Sequence, residues 1–351
     1  MTITKVRTSD STRPAEHAVA HGDESAKDRI YAPVASELEL VVFAIASVPE
    51  ASSERSPEIE ARLAHVLSAP GKRVRPSITL LASKLWGRPA DERAVNMAAA
   101  VELLHIATLL HDDTVDGAST RRGRATASNL WGGSVAVLLG DFVFATSAMF
   151  VCETNSVRLI KRFAETITEL SRGELVEIQD AWRPTVTREQ YFQRIYDKTA
   201  SLFSTAAQSG AVLGEADEEH ITLLCEYGRD LGMAYQIHDD LLDFEATSDQ
   251  LGKPAGHDLA SGVLTLPAVI ALEGGPSRMP VLDYLCAEPN VRQELLAPAL
   301  DAVRSAAVMN EARAVADEFT ANARHGASML PPTPERDSLL RLTDYLTQRR
   351  S

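Results

Sequence analysis

From about residue 29 onward, apolar positions recur every three or four residues, and polar positions fill the gaps. That spacing predicts amphipathic α-helices, because side chains three and four apart share one face of a helix. The pattern breaks where Pro and Gly cluster: "SAPGKRVRP", "WGRPADE", "DGASTRRG", "WGGS", "WRPT", "LGKPAGHD", "EGGPSRMP" and "LPPTPERD". No strand-like alternation persists, and no repeat of solenoid length is present. The expectation is an all-α fold, a single large helical bundle with antiparallel neighbours around a central cavity. Residues 1–28 are rich in Ser, Thr, Asp, Glu and His and predict a disordered tail, leaving 29–351 as one helical domain. The most apolar run, "VAVLLGDFVFATSAMFV", is interrupted by Asp141. It reads as a core helix, with no transmembrane segment expected.

Composition narrows the function. Hydrophobic residues make up 45% of the 351, enough for a sizeable core. With 35 basic and 49 acidic side chains the net charge is −14, which argues against general nucleic-acid binding. It leaves a small anionic ligand open, since local clusters decide that. Cys152, Cys225 and Cys286 show no CxxC spacing and suggest reduced thiols. The first thirty residues hold no apolar leader, so a cytoplasmic setting is expected.

One short motif recurs. Asp-Asp-x-x-Asp appears as "DDTVD" (Asp112, Asp113, Asp116) and as "DDLLD" (Asp239, Asp240, Asp243), each after an apolar stretch and a His. In a helix, Asp112 and Asp116 share a face, as do Asp239 and Asp243. Carboxylates this close repel, and burying them is unfavourable. A divalent cation answers both difficulties, and magnesium is commonly held by one or two carboxylates together with substrate phosphates. The bland alternative, a solvated acidic helix end, suits one copy better than two.

The basic residues indicate which polyanion. "GKRVRP" places Lys72, Arg73 and Arg75 at a helix start, and "RRG" supplies Arg121 and Arg122. Lys198 lies within a helical run and Lys253 in a loop. Any one of them serves solubility; gathered around two metal-binding motifs they point to diphosphate. There is no P-loop, so a nucleotide is not indicated. His105 lies seven residues before Asp112, on the same helical face.

These segments, from about residue 65 to 270, resemble the all-trans polyprenyl diphosphate synthases. "GKRVRP", "LLHDDTVDGASTRRG", "GDFVFA", "KTASLF", "YQIHDDLLDF" and "GKPAGHDLASGVLTLP" follow in that family's order. The resemblance implies that an allylic diphosphate ionises, that the double bond of isopentenyl diphosphate attacks the allylic cation, and that proton loss gives a chain five carbons longer. It implies Mg2+, three ions with diphosphate bound, on Asp112, Asp116 and Asp239. Arg121, Lys198 and Lys253 would hold the departing diphosphate; Lys72, Arg75, His105 and Arg122 would hold isopentenyl diphosphate. Thr199 and Gln236 would offer oxygen dipoles to the cation, and the diphosphate itself would accept the proton. Small departures are Pro70 where the family often has Gly, Tyr235 where Phe is frequent, and Val263 in place of a second Lys. By analogy the chain forms a homodimer.

Product length is read from the helix before Asp112. Ala107 and Thr108 lie roughly 6–7.5 Å below the metal site at ~1.5 Å per residue. In this family a bulky aromatic there stops growth early; both residues are small, and Val101 and Leu104 on the next turn are not aromatic. The expectation is a C30–C50 product, with C20–C25 as the alternative if Phe142, Phe144 or Phe150 provides the stop. Three rivals remain. A terpene cyclase would not need the isopentenyl-binding set, a non-catalytic prenyl-binding subunit would have lost Asp-rich ligands, and an acidic scaffold would bind metal without specificity.

Overall fold

Helix initiation follows local chemistry. The structure, a computed structural model, describes residues 29–50, 56–121, 123–245 and 255–347; the proposed tail 1–28, Arg122 and Lys253 lie outside the described residues. Helices α1 (Ala35–Ala46), α2 (Pro57–Leu67), α3 (Val74–Lys84) and α4 (Glu92–Val115) come first. The hydroxyl of Ser56 caps α2 by accepting the Ile59 N–H, and the Asp91 carboxylate caps α4 by accepting the Ala94 N–H. Then come α5 (Ala127–Trp131), α6 (Gly133–Cys152), α7 (Val157–Asp180) and α8 (Arg188–Ile195), the last opened by a Thr187–Gln190 capping box. A π-helical turn, Tyr196–Ala200, leads into α9 (Ser201–Leu213), followed by α10 (Glu218–Glu245). The chain closes with α11 (His257–Ala260), α12 (Leu266–Glu273), α13 (Arg278–Cys286), α14 (Pro289–Val303), α15 (Ala306–Ser328) and α16 (Pro334–Thr347).

The fold is all-α, as its periodicity predicts. The one strand pairing among the described residues is a two-residue ribbon, Thr120–Arg121 against Arg124–Ala125, folded back through Gly123 at positive φ. Helix α9 is buried almost throughout and is flanked by α3, α7 and α10. Close packing there depends on glycine: a Cβ on Gly232 of α10 would stand 2.6 Å from the Cα of Ala200. Helix α10 joins two apolar clusters. Ile221, Leu224 and Leu231 belong to the one built with α3, α4 and α6; Met233, Ile237 and Phe244 belong to the one built with α12, α13 and α15.

Helix α6 departs from the expected core helix. It is long and apolar enough to cross a membrane, as is α4, yet only a third of its most apolar window is buried, against two thirds for α4. One stripe, Ala136, Leu139, Val143 and Ser147, packs inward alongside α4. Leu138 and Met149 are 67% and 68% exposed, and Asp141 is exposed with them. A helix apolar on every side buries one stripe against its neighbour and leaves the other uncovered within the chain.

Candidate active site

The last turn of α4 separates the first aspartate motif into two faces. Asp112 and Asp116 line a cleft of about 850 Å³, while Asp113 is buried behind them and accepts Arg121 Nε at 2.6 Å. The Asp112 carboxyl is pushed up to about 7 by burial and by the neighbouring carboxylates of Glu174 and Asp116, with Lys198 and Arg121 opposing. Burial is the larger cause, and crowding by carboxylates adds to it.

The second motif, on α10, divides its work differently. Asp239 lines the same cleft as Asp112 and Asp116. Asp240 turns inward and accepts the Tyr191 hydroxyl at 2.6 Å and Gln236 Nε2 at 2.8 Å. Burial, and then the Asp258 charge, push its carboxyl up to about 8. Asp243, expected on the face of Asp239, instead accepts the Asp258 backbone N–H at 3.1 Å, and its carbonyl accepts the Gly256 N–H at 2.7 Å. It holds the start of α11 and is absent from the cleft wall.

The cations come from three directions. Lys72 and Arg75 enter from the start of α3, with the Arg75 guanidinium 4.5 Å from the centre of the Phe203 ring. Between them Arg73 adopts a left-handed φ of 52° and pairs with buried Glu102 at 2.7 Å, which turns its neighbours toward the cleft. His105 and Thr108 face the cleft from α4, and Arg121 from the ribbon. Lys198 enters from the π-helical turn and is ion-paired with Glu174 at 3.0 Å and Glu177 at 2.5 Å. Beside it the Thr199 hydroxyl donates to Gln236 Oε1 at 2.7 Å. Because the Gln236 amide N–H is committed to Asp240, its oxygen is aimed at Thr199, and the Thr199 lone pairs are left for the cleft.

Lys72, Arg75, His105, Arg121, Lys198, Thr199, Gln236 and the outer aspartates Asp112, Asp116 and Asp239 line one cleft, while Asp113, Asp240 and Asp243 turn away from it. Thr108 lines the cleft, whereas Ala107 is buried in the core and is not on the cleft wall. Val101 and Leu104 are fully buried, and Phe142 stands on the exposed side of α6. Sequence reasoning missed Glu174, Glu177 and Glu102; the signal for the first two was their three-residue spacing in "GELVE", one face of one helix. Among the described residues no three Asp, Glu, His or Cys side chains gather closely enough to hold a metal ion alone. The donors that face one another are carboxylates, which suit magnesium sharing its shell with diphosphate oxygens.

Residues 56–303 match the Polyprenyl synthetase family. The chain belongs to that family. It is 36% identical to the octaprenyl diphosphate synthase of Escherichia coli strain K12 over 285 residues, covering 81% of this chain and 88% of the relative. The heptaprenyl diphosphate synthase structure from Staphylococcus aureus superposes with a TM-score of 0.83 at 31% identity, covering 90% of this chain and 98% of that one. A polyprenyl synthase from Caulobacter crescentus, solved with calcium and isoprenyl diphosphate, gives 0.81 at 31% identity, covering 93% and 98%. Membership makes this chain a prenyl-transferring enzyme, and the helical fold is that of the solved synthases.

Proposed function

We propose that the synthase condenses isopentenyl diphosphate with an allylic diphosphate, head to tail, to a C30–C50 all-trans polyprenyl diphosphate. The observation that carries this reading is that Asp112, Asp116 and Asp239, from helices far apart in sequence, line one cleft together with Lys72, Arg75 and Lys198. Relatives named for seven and eight prenyl units support the length, as does the small Thr108 on the cleft wall.

In this reading Asp112, Asp116 and Asp239 hold magnesium, three ions with diphosphate bound. The metal supplies charge neutralisation and orientation for the departing group. Lys198 and Arg121 bind the oxygens of that group, and Lys253 is assigned to the same group by the family resemblance. Lys72, Arg75, His105 and Arg122 hold isopentenyl diphosphate beside it. Thr199 offers its oxygen lone pairs to the developing allylic cation, and Gln236 contributes its oxygen dipole through the Thr199 hydroxyl that it accepts. The diphosphate released next to the new carbon–carbon bond takes the proton.

The domain is read as residues 29–351. The reading is cytoplasmic, in keeping with the free thiols of Cys152, Cys225 and Cys286. We further read the uncovered stripe of α6 as the contact with a second copy, because a two-fold pairing covers the same stripe on both chains.

The test is an incubation with farnesyl diphosphate, labelled isopentenyl diphosphate and magnesium. Products of C30–C50 are expected. Termination at C20–C25 would replace the length assignment, and consumption of the allylic substrate without isopentenyl diphosphate would replace elongation with cyclisation.

A further inference from the structure

Two tyrosines from opposite ends of the sequence meet at Lys72. Tyr31 stands just before a 3₁₀ turn, Ala32–Val34, that leads into α1. Its hydroxyl donates to the Lys72 carbonyl at 2.9 Å, across 41 residues of chain. Tyr345 lies in the last turn of α16, and the Lys72 ammonium stands 5.7 Å from the centre of its ring. Both tyrosines sit on anchored segments. Lys84, at the end of α3, donates to the Pro33 carbonyl at 2.6 Å and to Glu37 at 2.5 Å, which ties the N-terminal segment to the helix that Lys72 precedes. Buried Tyr227 of α10 donates to the Leu339 carbonyl at 3.0 Å and so fixes α16. Leu346, beside Tyr345, lines the same cleft as Lys72. A ring suits this task better than a carboxylate. A long lysine stem loses rotamer entropy when its ammonium is captured, and a stem already held loses less. A carboxylate would also hold the stem, but its charge would repel the diphosphate that the lysine receives. An aromatic face attracts the ammonium without a formal charge.

We propose that Tyr31 and Tyr345 are positioning residues for isopentenyl diphosphate: Tyr31 fixes the main chain of Lys72, and the ring of Tyr345 holds its ammonium ready at the cleft. Arg73, left-handed and paired with Glu102, fixes the backbone on the other side. The two ends of the described chain thus act together on one substrate and leave the allylic diphosphate, held by Lys198 and Arg121, unaffected. This inference rests on the assignment of Lys72 to isopentenyl diphosphate.

The experiment measures steady-state elongation by the full-length protein in magnesium, with farnesyl diphosphate and isopentenyl diphosphate varied in turn. Wild type, Tyr345→Leu, Tyr345→Phe, Tyr31→Phe, Lys72→Met and the Lys72→Met, Tyr345→Leu double variant are compared. Tyr345→Leu is expected to raise the KM for isopentenyl diphosphate about fivefold, the factor to which a cation–π contact of about 1 kcal/mol corresponds. Its kcat and its KM for farnesyl diphosphate should stay within about twofold of wild type, as should all three constants of Tyr345→Phe, which keeps the ring. Tyr31→Phe should raise the isopentenyl KM about threefold through one lost hydrogen bond. In the Lys72→Met background Tyr345→Leu should add nothing. An unchanged isopentenyl KM in Tyr345→Leu, an equal rise in both KM values, or a Phe variant as impaired as the Leu variant overturns the inference. If Lys72→Met leaves the isopentenyl KM unchanged, the role of Lys72 is wrong and the inference falls with it. If Lys72→Met raises that KM while Tyr345→Leu does not, only the role of the tyrosine is wrong. Should Tyr345→Leu fail to fold, as judged by thermal melting, Tyr31→Phe decides by the same selective rise or its absence.

Discussion

Adjacent aspartates in this chain have opposite duties. Asp112 faces the cleft and Asp113 anchors Arg121; Asp239 faces the cleft and Asp240 anchors Gln236 through a chain that begins at buried Tyr191. The helix sets that division, since a step of one residue rotates a side chain by about 100°. Removing the inner partner therefore acts on the outer one. Tyr191→Phe deletes a donor to a buried carboxyl and is expected to cost about 1–3 kcal/mol in a urea unfolding midpoint. It should also lower kcat with little change in the KM for isopentenyl diphosphate, because Gln236 loses its fixed orientation. Arg73→Ala strands the Glu102 carboxylate, whose side chain is 6% exposed, and is expected to cost about 3–5 kcal/mol, read by the same unfolding curve. Asp112→Asn keeps the shape of the site and removes one charge; a fall in kcat of about 10²-fold or more is expected in steady-state turnover.

At the scale of elements, the site depends on how closely helices approach. The π-helical turn Tyr196–Ala200 displaces Lys198 and Thr199 from the regular helical path, and Gly173 and Gly232 admit α7 and α10 against it from two sides. Gly232→Ala places a Cβ 2.6 Å from the Cα of Ala200, an atom of the backbone that has no rotamer to move away. The expected loss is about 1–3 kcal/mol of stability, together with a drop in turnover as the Thr199–Gln236 hydrogen bond opens. Helix α4 holds the chain-length question. Since Thr108 is on the cleft wall and Ala107 is behind it, Thr108→Phe should shorten the product in the labelled elongation assay more than Ala107→Phe does. Equal shortening by both would place the wall elsewhere on α4.

At the scale of the whole molecule, α6 is the element whose surroundings the single chain does not complete. Its outer stripe carries Leu138 and Met149, both about two thirds exposed. An exposed apolar patch of this kind marks an interaction surface. Leu138→Asp is expected to shift sedimentation from dimer to monomer without lowering the melting point of the fold by more than a few degrees, because about two thirds of that residue is already exposed. A wild type that sediments as a monomer and floats with lipid vesicles would assign the stripe to a membrane instead.

Sequence alone determined the helical class, the breaks between helices and the paired aspartate motifs, because periodicity and side-chain chemistry are local properties. The acidic pair spacing, the cationic segments and the order of motifs were likewise legible along the chain. Tertiary structure decided what depends on neighbours distant in sequence. It buried Ala107 and exposed α6, sent Asp243 to cap a turn, and brought Glu174 and Glu177 onto Lys198. Those outcomes follow from which helix faces which, a matter of packing between residues tens of positions apart, and the free energy of that packing is a property of the assembled fold.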